Sequence, residues 1–357
     1  MKYIDDWDMI KKRFNAFWEG AFIDRCCIAV TAPLRGKEDE YHRLKALPRL
    51  HGWGNPEEII VLNRKKFEVT KFAGESFPGI WLNLGPSGHA GFFKGATWHM
   101  DHQTVWYDPS IDDDGYDTLA FDCQSPLYTL TLSMAKALAD DSQGDYLISM
   151  PDTAGNLDAL AYLRGNDTLL VDMADEHPGI LGALRKLQAA WEKVTQEVYD
   201  ILKSNNDGGG MIQWLRVWAP GLLAQMQVDM SVMISSDMFN TFALPELIEQ
   251  SNFLDYPLYH LDGAQQVRHL DTLLSLERLK VIQWTSIAGQ ANPSHYLEVL
   301  QRIQKAGKSL LLPLPDAKDV ESLLTNLSSK GLHIVVEAED EDQADEIVRM
   351  ASRLSHE

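Results

Sequence analysis

LYHLDGAQQVRHLDTLLSLERLKVIQWT, residues 258–285, is the stretch on which the fold turns. It opens on an apolar run at 258–261 and breaks at Asp262-Gly263. A helical segment carrying His269 and Asp271 follows, and a second apolar run closes it at 281–285. Short, continuously apolar runs rich in Ile, Val, Leu and aromatics are expected of parallel strands buried on both faces. The stretch therefore reads as strand, helix, strand. The same kind of run recurs at 26–31, 79–84, 146–150, 211–217, 310–314 and 332–337, which makes eight strands in all. Helical patterns lie between them. Residues 178–204 place Ile180, Leu184, Leu187, Trp191, Val194, Val198 and Leu202 at three- and four-residue steps, one apolar stripe on a long helix. Residues 294–306, 319–328 and 339–355 read similarly. Eight strand–helix units predict an α/β fold of the (β/α)8 TIM-barrel type. With no linker and no internal repeat, residues 1–357 read as one domain. Residues 90–126 fit the pattern poorly. They look like an aromatic insertion carrying Trp98, His99, His102 and Trp106, a candidate wall or lid for a site.

Composition bounds the function. With 32 Lys+Arg against 52 Asp+Glu the formal net charge is −20, which argues against nucleic acid and against anionic membranes as partners. At 45% hydrophobic and 24% charged, the chain belongs to the soluble globular class. The first 18 residues interrupt their apolar positions with Lys2, Asp5, Asp6, Asp8, Lys11, Lys12 and Arg13, unlike a secretory signal. Three cysteines, Cys26, Cys27 and Cys123, make a poor disulfide framework and suit a cytoplasmic location. Cys26 and Cys27 fall in an apolar run and read as core.

In a barrel, chemistry gathers at the C-terminal ends of strands. Those ends offer Trp81 and Asn83, then Asp152 and Asn156, then Gln213, Trp214, Arg216 and Trp218. Tyr259, His260 and Asp262 follow, then Gln283 and Trp284, and finally Glu337. His260 and Asp262 are the sharpest pair. Residues i and i+2 of an extended segment point the same way, so an imidazole and a carboxylate share one side. Such a pair holds a divalent metal or works as an oriented acid/base; the plainer alternative is that both hydrogen-bond the rim. Glu337 ends an apolar strand, where a carboxylate needs a partner. Ten tryptophans are an unusual number. Trp7, Trp18 and Trp191 read as core. Trp81, Trp98, Trp106, Trp214, Trp218 and Trp284 read as rim, with packing against the helices as the competing role for about half of them. No GxGxxG, Walker A, GxSxG or HExxH pattern occurs.

Three stretches resemble the uroporphyrinogen decarboxylase superfamily. DMSVMISSDMFNTFALPELIEQ (229–250) looks like that family's substrate-site stretch leading into a helix. YHLDG (259–263) matches its H-x-C-G strand end, and PDTAGNLDALAYLRG (151–165) its third strand-to-helix turn. The resemblance spans most of the chain. It implies a (β/α)8 barrel and either a cofactor-free decarboxylase or a zinc-dependent methyltransferase working with a corrinoid protein. The positions matching the family's zinc ligands are His260, Asp262 and Glu337, with carboxylates where relatives have thiolates. The decarboxylase's arginine-rich first strand end is replaced here by Thr31-Ala32-Pro33-Leu34-Arg35.

Three functions follow as expectations. The first is a metal-dependent methyltransferase for a small polar or methoxylated substrate. His260, Asp262 and Glu337 would be its catalytic and metal-binding set, zinc its metal and a corrinoid protein its partner. The Trp, Asn, Asp, Gln, Arg and Tyr positions at those strand ends would bind substrate. The second is a metal-free lyase or hydrolase using Asp262 and Glu337 as paired carboxylates on a carbohydrate-like substrate. The third is a ligand-binding barrel without catalysis. A homodimer is the expected assembly, and the tryptophan rim suggests a neutral or cationic ligand.

Overall fold

The computed structural model describes residues 1–357 except His102, Asp114, Ala154, Ile287 and Ala288. The fold is mixed α/β around a central, mostly parallel sheet. Seven strands run in spatial order Thr70–Gly74, Cys27–Pro33, Leu332–Glu337, Ser309–Pro313, Val281–Thr285, Tyr256–Asp262 and Leu223–Met226. Every neighbouring pair is parallel except the first, where Thr70–Gly74 runs antiparallel along the edge. All seven residues of Cys27–Pro33 are buried, as a strand covered on both faces requires. Two short strands, Gly79–Ile80 and Leu147–Ile148, pair in parallel apart from this ladder. A hydrogen bond from Met150 N to Met211 O (2.8 Å) carries the contact on to Gly210–Ile212. The ladder does not close on itself among the described residues.

Most expected strands are present, but those at 79–84 and 146–150 are reduced to Gly79–Ile80 and Leu147–Ile148, the edge strand Thr70–Gly74 is additional, and one is rearranged. Residues 211–217 do not form a single strand. Gly210–Ile212 turns back through Gln213–Leu215 into Val217–Ala219 as an antiparallel hairpin. The strand that pairs with Tyr256–Asp262 is Leu223–Met226, just beyond it.

Two apolar clusters form the core. One lies between sheet and helices; there Ile180–Leu202 buries its stripe of Ile180, Leu184, Leu187, Trp191, Val194, Val198 and Leu202. The other collects Cys27, Leu147, Met211, Leu223, Leu258, Val281 and Leu311, from seven different strands, around Phe14, Phe17 and Trp18 of the first helix, Trp7–Trp18. That helix thus plugs the sheet on the side where the strands begin. The closing helix Glu341–Leu354 is capped by Asp340, whose carboxylate accepts from Gln343 N at 2.8 Å. The aromatic insertion holds an antiparallel hairpin, Thr97–Met100 with Val105–Asp108; His102 lies outside the described residues. No helix among the described residues is long and apolar enough to cross a membrane.

Candidate active site

Parallel pairing sets the site. His260 lies opposite Gln283 and Asp262 opposite Thr285, at the ends where these strands finish. Within Tyr256–Asp262, His260 and Asp262 share one face, and their closest side-chain atoms, Nε2 and Oδ1, are 3.9 Å apart. The neighbouring strand Leu223–Met226 runs on into Asp229, the first residue of a short 3-10 turn. One ligand atom from each of Asp229, His260 and Asp262 lies within 4.8 Å of the other two.

His260 and Asp229 are held from behind. The Gln283 carbonyl oxygen accepts from His260 Nδ1, and its amide donates to Thr285 Oγ1. A carbonyl can only accept, so Nδ1 carries a proton and Nε2 is the nitrogen left to face the other two ligands. Trp214 stands edge-on to the imidazole at 5.1 Å. Its indole N–H donates to Gln225, Gln225 donates to Gln227 and Asp152, and Gln227 donates to Asp229 Oδ2 at 3.1 Å. The other carboxylate oxygen, Asp229 Oδ1, is buried and makes no close hydrogen bond among the described residues, although the Gln266 side chain interacts favourably with the carboxylate. Burial raises the Asp229 carboxyl above its ordinary range; the His260 charge opposes this and the Asp262 charge adds to it. Behind the turn, Asp158 accepts from the backbone N–H groups of Asp229 (2.9 Å) and Met230 (2.7 Å), which fixes where Asp229 points.

The donors suit a divalent metal. An imidazole fixed by an outer hydrogen bond, a buried carboxylate and a second carboxylate make an oxygen-rich set with open positions. No thiolate takes part: Cys26 and Cys27 are buried at the start of the first strand, and Cys123 is exposed on the insertion.

Glu337 does not belong to this group, which corrects the expected third ligand. Its strand is separated from Tyr256–Asp262 by two others, so three spacings of ~4.8 Å, roughly 14 Å, lie between them along the sheet. Its carboxylate pairs instead with Lys45 and with Arg216 (3.4 Å). Together these line a cavity of about 790 Å³, walled by residues of the segment 41–54, by strand ends Thr31 and Trp81, and by Gln213.

The remaining candidates divide. Trp81, Asn83, Gln213 and Arg216 line the cavity. Asp152 accepts from Gln225 in the chain behind Asp229. Trp214 and Gln283 touch His260. Three aromatics expected at the rim are core. Trp284 is fully buried against Tyr296, Trp218 packs on Trp7 and donates to Asn206 O, and Tyr259 is 1% exposed. Alternation explains two of them: Gln283 and His260 face the site, so their neighbours Trp284 and Tyr259 must face the helices. Asn156 is likewise buried, bonded to His89 and Gln188. Asp229 was missed because the strand leading to it had been placed one hairpin too early. Its signal was Leu222–Val228 after the Pro220-Gly221 turn. The cavity lining carries Lys45, Arg49, Lys66 and Arg216 against Glu337.

No protein-family model matches the sequence, and no curated protein matches it. Among solved structures, a methyltransferase from Methanosarcina mazei is similar, with a TM-score of 0.61 over 96% of this chain and 98% of that one. At 12% identity the likeness is one of fold: the chain is built as that methyltransferase is built.

Proposed function

We propose that the chain is a metal-dependent methyltransferase of the uroporphyrinogen decarboxylase type, on a (β/α)8 barrel, acting on a small polar or methoxylated substrate. The observation that carries this reading is the convergence of Asp229, His260 and Asp262 at the strand ends, with His260 Nδ1 bonded to Gln283 and Nε2 turned toward the two carboxylates. The ring of inward residues from seven strands around the first helix supports the barrel, and the methyltransferase of like fold supports the reaction class. A divalent cation held by the three side chains, zinc in the first instance, would supply Lewis acidity at a substrate oxygen. Gln283 keeps the imidazole in the ligating tautomer. Gln227 and the Asp158 carboxylate hold Asp229 in place. Trp214 excludes water from one side of His260. The methyl partner this reading implies is a corrinoid carried by a second protein, and a cytoplasmic location fits it. Metal analysis of the purified protein tests the proposal. About one equivalent of metal, lost in Asp262→Ala, is expected. Absence of metal together with an unaltered Asp262→Ala variant overturns it.

A second reading has one observation in its favour, the raised carboxyl of Asp229 beside Asp262. A buried carboxyl raised above its ordinary range, with a second carboxylate beside it, is a pair that can act as acid and base in a metal-free lyase or hydrolase. Turnover that survives a strong chelator would select it.

A further inference from the structure

One side of the cavity is a single segment of chain. It joins helix Glu38–Lys45 to helix Pro56–Phe67, and residues 46–51, 53 and 54 all lie on the lining. Its two ends are fixed. Lys45 pairs with Glu337, and the Asn55 side chain caps the second helix by accepting from Glu58 N at 3.2 Å. Between those ends the backbone is bonded only to itself, in three short turns. His51 N donates to Pro48 O (3.0 Å), Trp53 N to Leu50 O (2.9 Å) and Asn55 N to Gly52 O (2.9 Å). Among the described residues no backbone bond ties these turns to the sheet or to the insertion. A stretch of this kind can leave the fold without breaking a ladder, and such stretches lie at the low-stability end of a protein.

Side chains do the fastening. Leu50 is buried in the larger apolar cluster. Trp53 donates its indole N–H to Asn83 O at 2.7 Å and meets Trp98 of the insertion hairpin edge-on, with ring centres 5.4 Å apart. The Arg49 guanidinium lies over the Trp81 ring, 4.6 Å from its centroid, and is attracted by the Asp152 carboxylate. Gly52 and Gly54 flank Trp53 with left-handed φ angles of 74° and 77°. A Cβ on Gly54 would meet nothing nearer than Leu130 at 3.7 Å, so its backbone conformation, not crowding, calls for glycine there.

We propose that residues 46–55 are a hinged lid on the cavity, which swings between two fixed helix ends and is latched in place by Trp53 and Arg49. Release breaks one side-chain hydrogen bond and two ring contacts and withdraws Leu50. Every strand pairing survives it. Outward movement widens the entrance to the cavity, and return brings Trp53 and Arg49 back onto its wall. The proposal concerns the cavity wall alone and holds whether or not the triad carries a metal.

The test is amide hydrogen exchange on the chelator-treated full chain, with thiol labelling as a second readout. In the wild type the amides of His51, Trp53 and Asn55 should exchange by local opening, at a rate that low urea leaves unchanged. Those of strands Cys27–Pro33 and Leu332–Glu337 should exchange far more slowly. Trp53→Phe keeps a ring against Trp98 and removes the bond to Asn83 O. Exchange across 46–55 should rise at least about fivefold, with the two strands unaffected. Arg49→Met should give a separate rise. Met134→Cys, in a Cys123→Ser background, places a thiol on the cavity wall, and Cys26 and Cys27 are buried. Its labelling by fluorescein maleimide should quicken with Trp53→Phe by a similar factor. The lid is overturned if the segment exchanges only with global unfolding, if it is unprotected in the wild type, if both latch variants leave its exchange unchanged, or if labelling ignores the latch. Chelator treatment keeps these outcomes separate from the fate of the metal reading.

Discussion

The carboxamide oxygen of Gln283 accepts a hydrogen bond from His260 Nδ1 across two paired parallel strands, and that single bond decides which imidazole nitrogen faces Asp229 and Asp262. Gln283 is fully buried, so nothing else competes for the proton. Gln283→Leu keeps the volume and removes the acceptor. We expect divalent-metal affinity to fall by about 10- to 100-fold with the fold intact. Competition against a chromogenic chelator measures it, and unchanged affinity would mean that the tautomer is set elsewhere.

The triad and Glu337 separate by substitution. His260→Ala, Asp229→Asn and Asp262→Asn should each lose bound metal, whereas Glu337→Gln should keep it, because its carboxylate is engaged with Lys45 and Arg216. Elemental analysis of the four variants gives the answer. Loss in Glu337→Gln would restore the ligand set expected from the sequence.

Trp214 and Trp284 should behave in opposite ways. Trp284 fills space between sheet and helix, so Trp284→Ala should cost about 3–5 kcal/mol of stability and leave metal affinity alone. Trp214→Ala, beside the imidazole, should change metal affinity more than stability. Urea unfolding paired with metal titration distinguishes the two.

Two buried histidines set an acid limit. His333 donates to Arg216 O at 3.1 Å and His89 to Asn156 at 2.9 Å; burial drives each down to about 4 from 6.5. In the unfolded chain they take up protons near pH 6.5, while in the fold they resist until about pH 4. The unfolded state therefore binds more protons in this window, and stability falls as the pH falls through it. Each contributes on the order of 3 kcal/mol. Urea midpoints across the window should decline, and less steeply in a folded His89→Gln variant; an identical slope would place the effect on other groups.

Much of the fold was legible because its strands are buried on both faces and so appear as unbroken apolar runs. The helices showed through their three- and four-residue stripes, as in Ile180–Leu202. The site was legible in half. His260 and Asp262 announce themselves by spacing within one strand, whereas Asp229 joins them only through the pairing of Leu223–Met226 with Tyr256–Asp262. Residues 211–226 are apolar almost throughout, so periodicity could not say which part pairs and which part turns. Glu337 ends its strand as Asp262 does, but distance around the sheet is a property of strand order, which no local pattern carries. Which of Gln283 and Trp284 faces inward likewise depends on register.

The turn Gln213–Leu215, with Arg216 after it, borders both compartments. Gln213 and Arg216 look into the cavity, Trp214 leans on the imidazole, and His333 clamps the far end by its hydrogen bond to Arg216 O. Adjacent residues on a clamped turn cannot move independently. The wall of the cavity and the indole beside His260 are thus built from one short piece of backbone, so a substitution at Gln213 or Arg216 bears on both.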